Sequence, residues 1–313
     1  MQQQVGVSQP QAAPAPELLR AANRILRESL SDNDPRARVN AIEVMVATKY
    51  VPLMPKVQRL LNDQFVPVRF LATLAVGDLQ YSLAKADVQR LLQDQDKNVQ
   101  IVAAYAMYKL GHKEYLKVFR DAITSEDQTV RANGALLLGK SGDRSTLTQR
   151  SLWWTLQRKD SNDKTRFQAA EALAMLGDEQ IYPKLWAMLI SAYADDRVMG
   201  IRAMGALGTK RAKNAIVTML DDAVLEVRLA AAEQLGKLGD PLGEKQVREV
   251  YTNNLTRGLT GEDLERVRVL TALAIGQIGT EPLKKYLPEL LGDASKFVRI
   301  AAAKAVLQYA MQG

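Results

Sequence analysis

The stretch Asp222–Gly239, DAVLEVRLAAAEQLGKLG, sets an acid six residues before an arginine (Asp222, Arg228), follows with a small-residue helix face, and ends on glycine. Close copies recur from one end of the chain to the other. A unit repeated at a fixed period cannot bury its apolar face alone and does so only against its neighbours, so the chain is constrained to a stacked array. Aligned on the arginine, the copies give the column Arg38, Arg69, Gln100, Arg131, Arg166, Gly200, Arg228, Arg268 and Arg299. The period is near 31 residues, enough for two short helices and their turns at ~3.6 residues per turn.

Each unit opens with a helix carrying large aliphatics at helical spacing, such as Leu53, Val57, Leu60 and Leu61, or Leu283, Leu287, Leu290 and Leu291. An acidic turn follows. Asp34-Pro35 there suits a helix cap followed by the first helical position. The second helix is rich in small residues, as in Ala230–Ala232 and Ala301–Ala303. Gly77, Gly111, Gly139, Gly177, Gly208, Gly239 and Gly279 lie where helices of this class stop. No window shows the period-2 alternation of strands. The expected fold is all-α, an α-solenoid of about nine helix pairs over 16–313. Residues 1–15, rich in Gln, Pro and Ala, read as a disordered lead-in. The array is expected to form an arc about 80–100 Å long with partly polar faces on its end units.

Units such as VRANGALLLGKSGD (130–143) and VRLAAAEQLGKLGD (227–240) resemble HEAT repeats, in particular the short bacterial, phycobilisome-lyase-like type. The resemblance covers about 16–310 and implies the α-α superhelix. It is silent on activity, because such repeats serve scaffolding, transport, lyase and DNA-repair roles. It also implies an Asp–Arg ladder. Asp32/Arg38, Asp63/Arg69, Asp160/Arg166, Asp222/Arg228 and Asp293/Arg299 keep the six-residue spacing, and Glu262/Arg268 keeps it with a glutamate. That spacing lets the arginine reach its own acid or that of the next unit. Asp94/Gln100, Ser125/Arg131 and Ala194/Gly200 depart from it. The eighth unit carries an insertion around Thr256–Gly261, and such insertions map to loops on one edge.

Chemistry is sparse. The chain has no cysteine and one histidine, His112, followed by Lys113. Thiolate nucleophiles and Cys-based zinc sites are excluded. So is likeness to the HEAT-repeat di-iron hydroxylases, which need several His-Glu pairs. Glycine clusters at 134–142 and 205–208 do not follow strands and lack the context of phosphate loops. Asp195-Asp196 and Asp221-Asp222 suit helix starts. Trp153, Trp154 and Trp186 suit core packing of first helices, with one ring exposed. No catalytic, metal or cofactor residues are assigned, and the chain reads as non-catalytic.

The remaining candidate is the concave face. Positions two, five and nine after the arginine share one side of the second helix. The residues expected to bind a partner there are Leu71, Leu74, Tyr105, Lys109, Asn133, Lys140, Gln168, Arg202 and Lys237. The reading is a protein- or peptide-binding scaffold or adaptor. The alternative is nucleic-acid binding, permitted by the net charge of +7, or a bilin-lyase-like or glycosylase-like enzyme. No apolar run reaches the ~18 residues of a membrane span. A cytoplasmic place is the default, and an exported chain with its signal removed is the alternative.

Overall fold

In the computed structural model, which describes residues 15–312, each unit is a pair of antiparallel helices, and no strand occurs among the described residues. The pairs are α1 (Ala15–Ser29) with α2 (Pro35–Ala47), α3 (Met54–Arg59) with α4 (Val66–Asp78), and α5 (Lys85–Leu91) with α6 (Lys97–Lys109). Next come α7 (Leu116–Asp121) with α8 (Gln128–Ser141), α9 (Thr146–Gln157) with α10 (Asp163–Met175), and α11 (Tyr182–Leu189) with α12 (Ala194–Leu207). Then follow α13 (Lys210–Thr218) with α14 (Leu225–Lys237) and α15 (Glu244–Thr252) with α16 (Gly261–Ile278). The last unit splits its first helix into α17 (Glu281–Lys284) and α18 (Leu287–Leu291) before α19 (Lys296–Gln312). Apart from Ala15, which begins α1, the lead-in read over 1–15 lies outside the described residues.

Local chemistry places the ends. Asp34 accepts from Arg36 N–H and Pro35 occupies the first turn of α2; Asp127 accepts from Thr129 and Val130 N–H at the start of α8. Gly208 and Gly279 take left-handed conformations and cap α12 and α16. Gly77 and Gly139 do something else. Both lie inside their helices, where a Cβ would sit 2.9 Å from Ala106 Cα and 2.8 Å from Ala172 Cα. They are absent side chains that let adjacent second helices touch backbone to backbone, not helix stops.

The arginine column works by a rule the spacing left open. Where a rung is complete, the arginine grips a carbonyl of its own turn and the carboxylate of the next turn. Arg38 donates to Asp32 O at 2.6 Å and pairs with Asp63 at 2.9 Å; Arg69 donates to Asp63 O and pairs with Asp94, both at 2.9 Å. Arg131, with a fully buried side chain, donates to Ser125 O and pairs with Asp160. Arg268 pairs with Asp293. Arg299 holds its own turn through Asp293 O at 2.6 Å, and Gln100 does the same through Asp94 O at 2.7 Å.

Three rungs differ from the sequence reading. In the sixth unit the column residue is Arg197, not Gly200: it donates to Ser191 O at 2.9 Å and pairs with Asp222 at 2.8 Å. The sixth unit was aligned three residues late. Asp160 is held by Arg131 and Arg158 rather than by Arg166. Arg166 donates to the carbonyls of Arg158 and Lys159 and pairs only with Asp163, because the sixth turn offers Ser191 where an acid would stand. Glu262 sits in the first turn of α16, exposed, because that helix starts seven residues before Arg268, where the other second helices start three before their column residue.

The array is not an arc. The second helices α2, α4, α6, α8, α10, α12, α14, α16 and α19 pack in sequence as an inner layer, and α19 packs in turn against both α1 and α2. The nine units close into a ring. Lys296 Nζ bonds Asp32 at 2.9 Å and lies 3.5 Å from Asp34, and Arg36 stacks over the Phe297 ring at 5.1 Å. Leu18, Ala22, Ile25 and Leu26 of α1 are buried, so the end units need no polar outer faces: each covers the other. Burial of such a side chain stabilises by ~1.5–3 kcal/mol before its ordering entropy is subtracted.

Candidate functional site

Closure turns the concave face into the wall of a lumen. With the column corrected, equivalent positions of the second helices stack in layers, facing the lumen except at the buried Tyr105. Five residues after the column stand Glu43, Leu74, Tyr105, Leu136, Glu171, Arg202, Glu233, Leu273 and Lys304. The second to fourth and the eighth units carry no charge at this level, and the other five carry charges of alternating sign around the ring. Arg202 lies 3.7 Å from Glu171, and Lys304 lies 3.9 Å from Glu233. Lys140, one layer further along, pairs with Asp78 at 2.8 Å.

A cavity of about 730 Å³ occupies this space, touching second helices from α2 to α14. Its apolar side is formed by Val66, Phe70, Leu71, Leu74 and Leu136. Its charged side presents Lys140, Lys164, Arg202 and Lys237 with Glu43 and Glu171. Glu43 is exposed on the lumen wall yet surrounded by protein around the ring. Burial pushes its carboxyl above the ordinary glutamate value, and the charges of Lys304, Arg202 and Lys140 pull against that shift.

Seven of the nine residues read as partner-binding line this one cavity: Leu71, Leu74, Asn133, Lys140, Gln168, Arg202 and Lys237. Asn133 is held by Asn98 at 2.9 Å, and Gln168 by Glu171 at 2.9 Å. Two do not line it. Tyr105 is fully buried against Phe119; its hydroxyl bonds Asp78, and burial pushes the phenol above its usual range. Lys109 closes α6, where its carbonyl accepts from Gln80. Glu43 and Lys304 were missed, since they lie in the first and last units, whose faces meet the others only after closure.

A second concavity of about 640 Å³ lies over the seam, lined by Pro35, Arg36, Phe65, Phe297 and the extended start of α16 with Glu262, Glu265 and Arg266. The insertion in the eighth unit builds this wall. Trp153 packs against the core as expected, and two rings rather than one are exposed. Trp153 is partly buried and donates to Asp178 at 2.8 Å, whereas Trp154 and Trp186 are both exposed on the outer layer. Arg158 stacks over Trp154 at 4.8 Å. His112 stands in its turn beside Glu114. No helix among the described residues is long and apolar enough to cross a membrane.

Helix pairs, the arginine column and close second-helix packing make an α-solenoid of HEAT-like units, and residues 84–152 match the family model described as HEAT repeats. Among curated proteins the chain is similar to phycocyanobilin lyase subunit alpha of Picosynechococcus, 27% identical over 195 residues, covering 58% of this chain and 68% of the relative. Among solved structures it is similar to the complex of CpcE and CpcF of phycocyanin lyase from Nostoc, with TM-score 0.44, 17% identity and coverage of 81% and 94%. Human deoxyhypusine hydroxylase aligns over 95% of this chain and 98% of its own, at TM-score 0.39 and 18% identity. The lyase relative overturns the expectation of a chain without catalysis.

Proposed function

We propose that this chain is a lyase-type HEAT-repeat subunit that holds an open-chain tetrapyrrole, or a molecule of that chemistry, in the lumen and presents it to a partner protein. The observation that carries the reading is the two-sided cavity. An open-chain tetrapyrrole has a long apolar conjugated body and two propionates. The body fits against Phe70, Leu71, Leu74 and Leu136, and the propionates fit Arg202, Lys237 and Lys164 across the lumen. The volume of about 730 Å³ lies within the range of small-molecule sites, roughly 300–1,000 Å³. Arginine suits a carboxylate through its planar fork. Glu43, whose carboxyl burial raises above the ordinary glutamate value, is the acidic side chain facing the apolar side of the cavity and the proton donor this reading assigns. The relative's lyase activity supports the class of reaction.

Titration with phycocyanobilin, followed by visible absorbance, tests this. Saturable one-to-one binding with a shifted band is expected, weakened at least tenfold by Arg202→Glu with Lys237→Glu and by Leu74→Glu. An unshifted spectrum with the folded wild-type chain at micromolar pigment would remove the reading. If pigment binds, Glu43→Gln should leave affinity near wild type and slow transfer to an acceptor protein.

A further inference from the structure

On the outer layer, far from the lumen, α11 and α13 frame a groove of about 520 Å³. Tyr182 and Trp186, one turn apart on α11, stack at 6.4 Å with 15° between their planes. The guanidinium of Arg211 lies 3.8 Å above the Tyr182 ring. Lys210 stands beside it at the start of α13, and Asn214 continues the same face. Trp186 is exposed, although a ring of that size is ordinarily covered.

Charge separates this groove from the seam concavity. The seam groove sets Glu262 and Glu265 against Arg36 and Arg266 and is balanced. The lining of the α11–α13 groove has Lys210 and Arg211 and no acid. One turn further along α13, Lys213 is neutralised by Asp240 at 2.6 Å; Lys210 and Arg211 make no ion pair among the described residues. Trp, Tyr and Arg are the residue types that dominate protein-interface energetics. A ring that holds Arg211 by its face leaves the N–H edge free for a carboxylate.

We propose that the α11–α13 groove docks an acidic segment of a partner protein, with one apolar side chain against Trp186 and flanking carboxylates on Lys210 and Arg211. The proposal does not depend on lumen chemistry. The test uses the full chain and the synthetic peptide Ac-EEFEELEE-amide, followed by calorimetry, with the glutamine version Ac-QQFQQLQQ-amide as control. Binding of the acidic peptide only is expected, falling at least tenfold with Lys210→Glu plus Arg211→Glu and with Trp186→Ala, and falling with added salt. Arg202→Ala, in the lumen, should leave it unchanged. Equal binding of both peptides, or no binding at millimolar acidic peptide, overturns the proposal. So does tighter binding of oligo-dT or of phosphatidylserine vesicles that the same charge reversal abolishes. Circular dichroism confirms that each variant is folded.

Discussion

The edge of the ring where the second helices begin and the wall of its lumen are built from the same nine helices under different constraints. At the edge, one geometry repeats: Arg38–Asp63, Arg69–Asp94, Arg197–Asp222 and Arg268–Asp293 all join residues 25 apart. Along the wall, equivalent positions hold leucine, tyrosine, glutamate, arginine or lysine. Repetition marks what every interface needs in order to stack. Variation marks where stacking makes no demand, and there the residues are free to serve a ligand.

The sharpest way to break this contrast is at the edge. Arg131→Ala removes a fully buried cation and leaves Ser125 O and Ser161 without their donor. A loss of roughly 3 kcal/mol in urea unfolding is expected. Gly139→Val forces a side chain against the backbone of Ala172, and about 2 kcal/mol should be lost.

The seam should answer to pH. Across the seam, hydrogen bonding to Lys296 holds Asp32 below its ordinary 3.8; Asp34 is held down to about 2 mainly by Arg36 within its own turn. Lys296 is in turn raised above 10.5 by Asp32. The carboxylates contribute fully above pH 3.8, and that contribution fades as pH falls through the lowered values. The lysine contributes fully below pH 10.5 and fades as pH rises past it. Urea unfolding should show slightly greater stability across the interval between than at either extreme, with the buried α1–α19 packing keeping the ring closed throughout. Lys296→Gln should abolish the alkaline limit. At the wall the expected effect is smallest: Arg202→Ala should change stability by less than about 0.5 kcal/mol while impairing pigment binding.

Much of this was legible in the residues. The arginine column and its turn acids stand out because each rung needs the same two side chains. Six lumen residues followed from helical period, and Arg202 entered through the misaligned sixth unit, standing five residues after Arg197 rather than two after Gly200. The sixth unit was misaligned because its turn has no acid at Ser191. Arg197 grips its own turn through backbone carbonyls, which any residue supplies. The missing carboxylate is instead felt by Arg166 of the unit before, a consequence visible only once the pairing rule is known. Tyr105 was placed in the lumen by period and is buried in fact, because its ring turns toward Phe119.

By itself the sequence determined the helix pair, its period and the edge chemistry, since these are set by contacts within a unit or with the next one. Only the tertiary structure decided that the array closes. Closing nine units in one turn needs about 40° at each interface, and that angle comes from how deeply small residues such as Gly77 and Gly139 let helices approach. An error of a few degrees, summed over nine interfaces, separates an arc from a ring. The contact of Lys296 with Asp32, 264 residues apart, has no local signal, and neither has the packing of α19 on α1 and α2 that encloses the lumen.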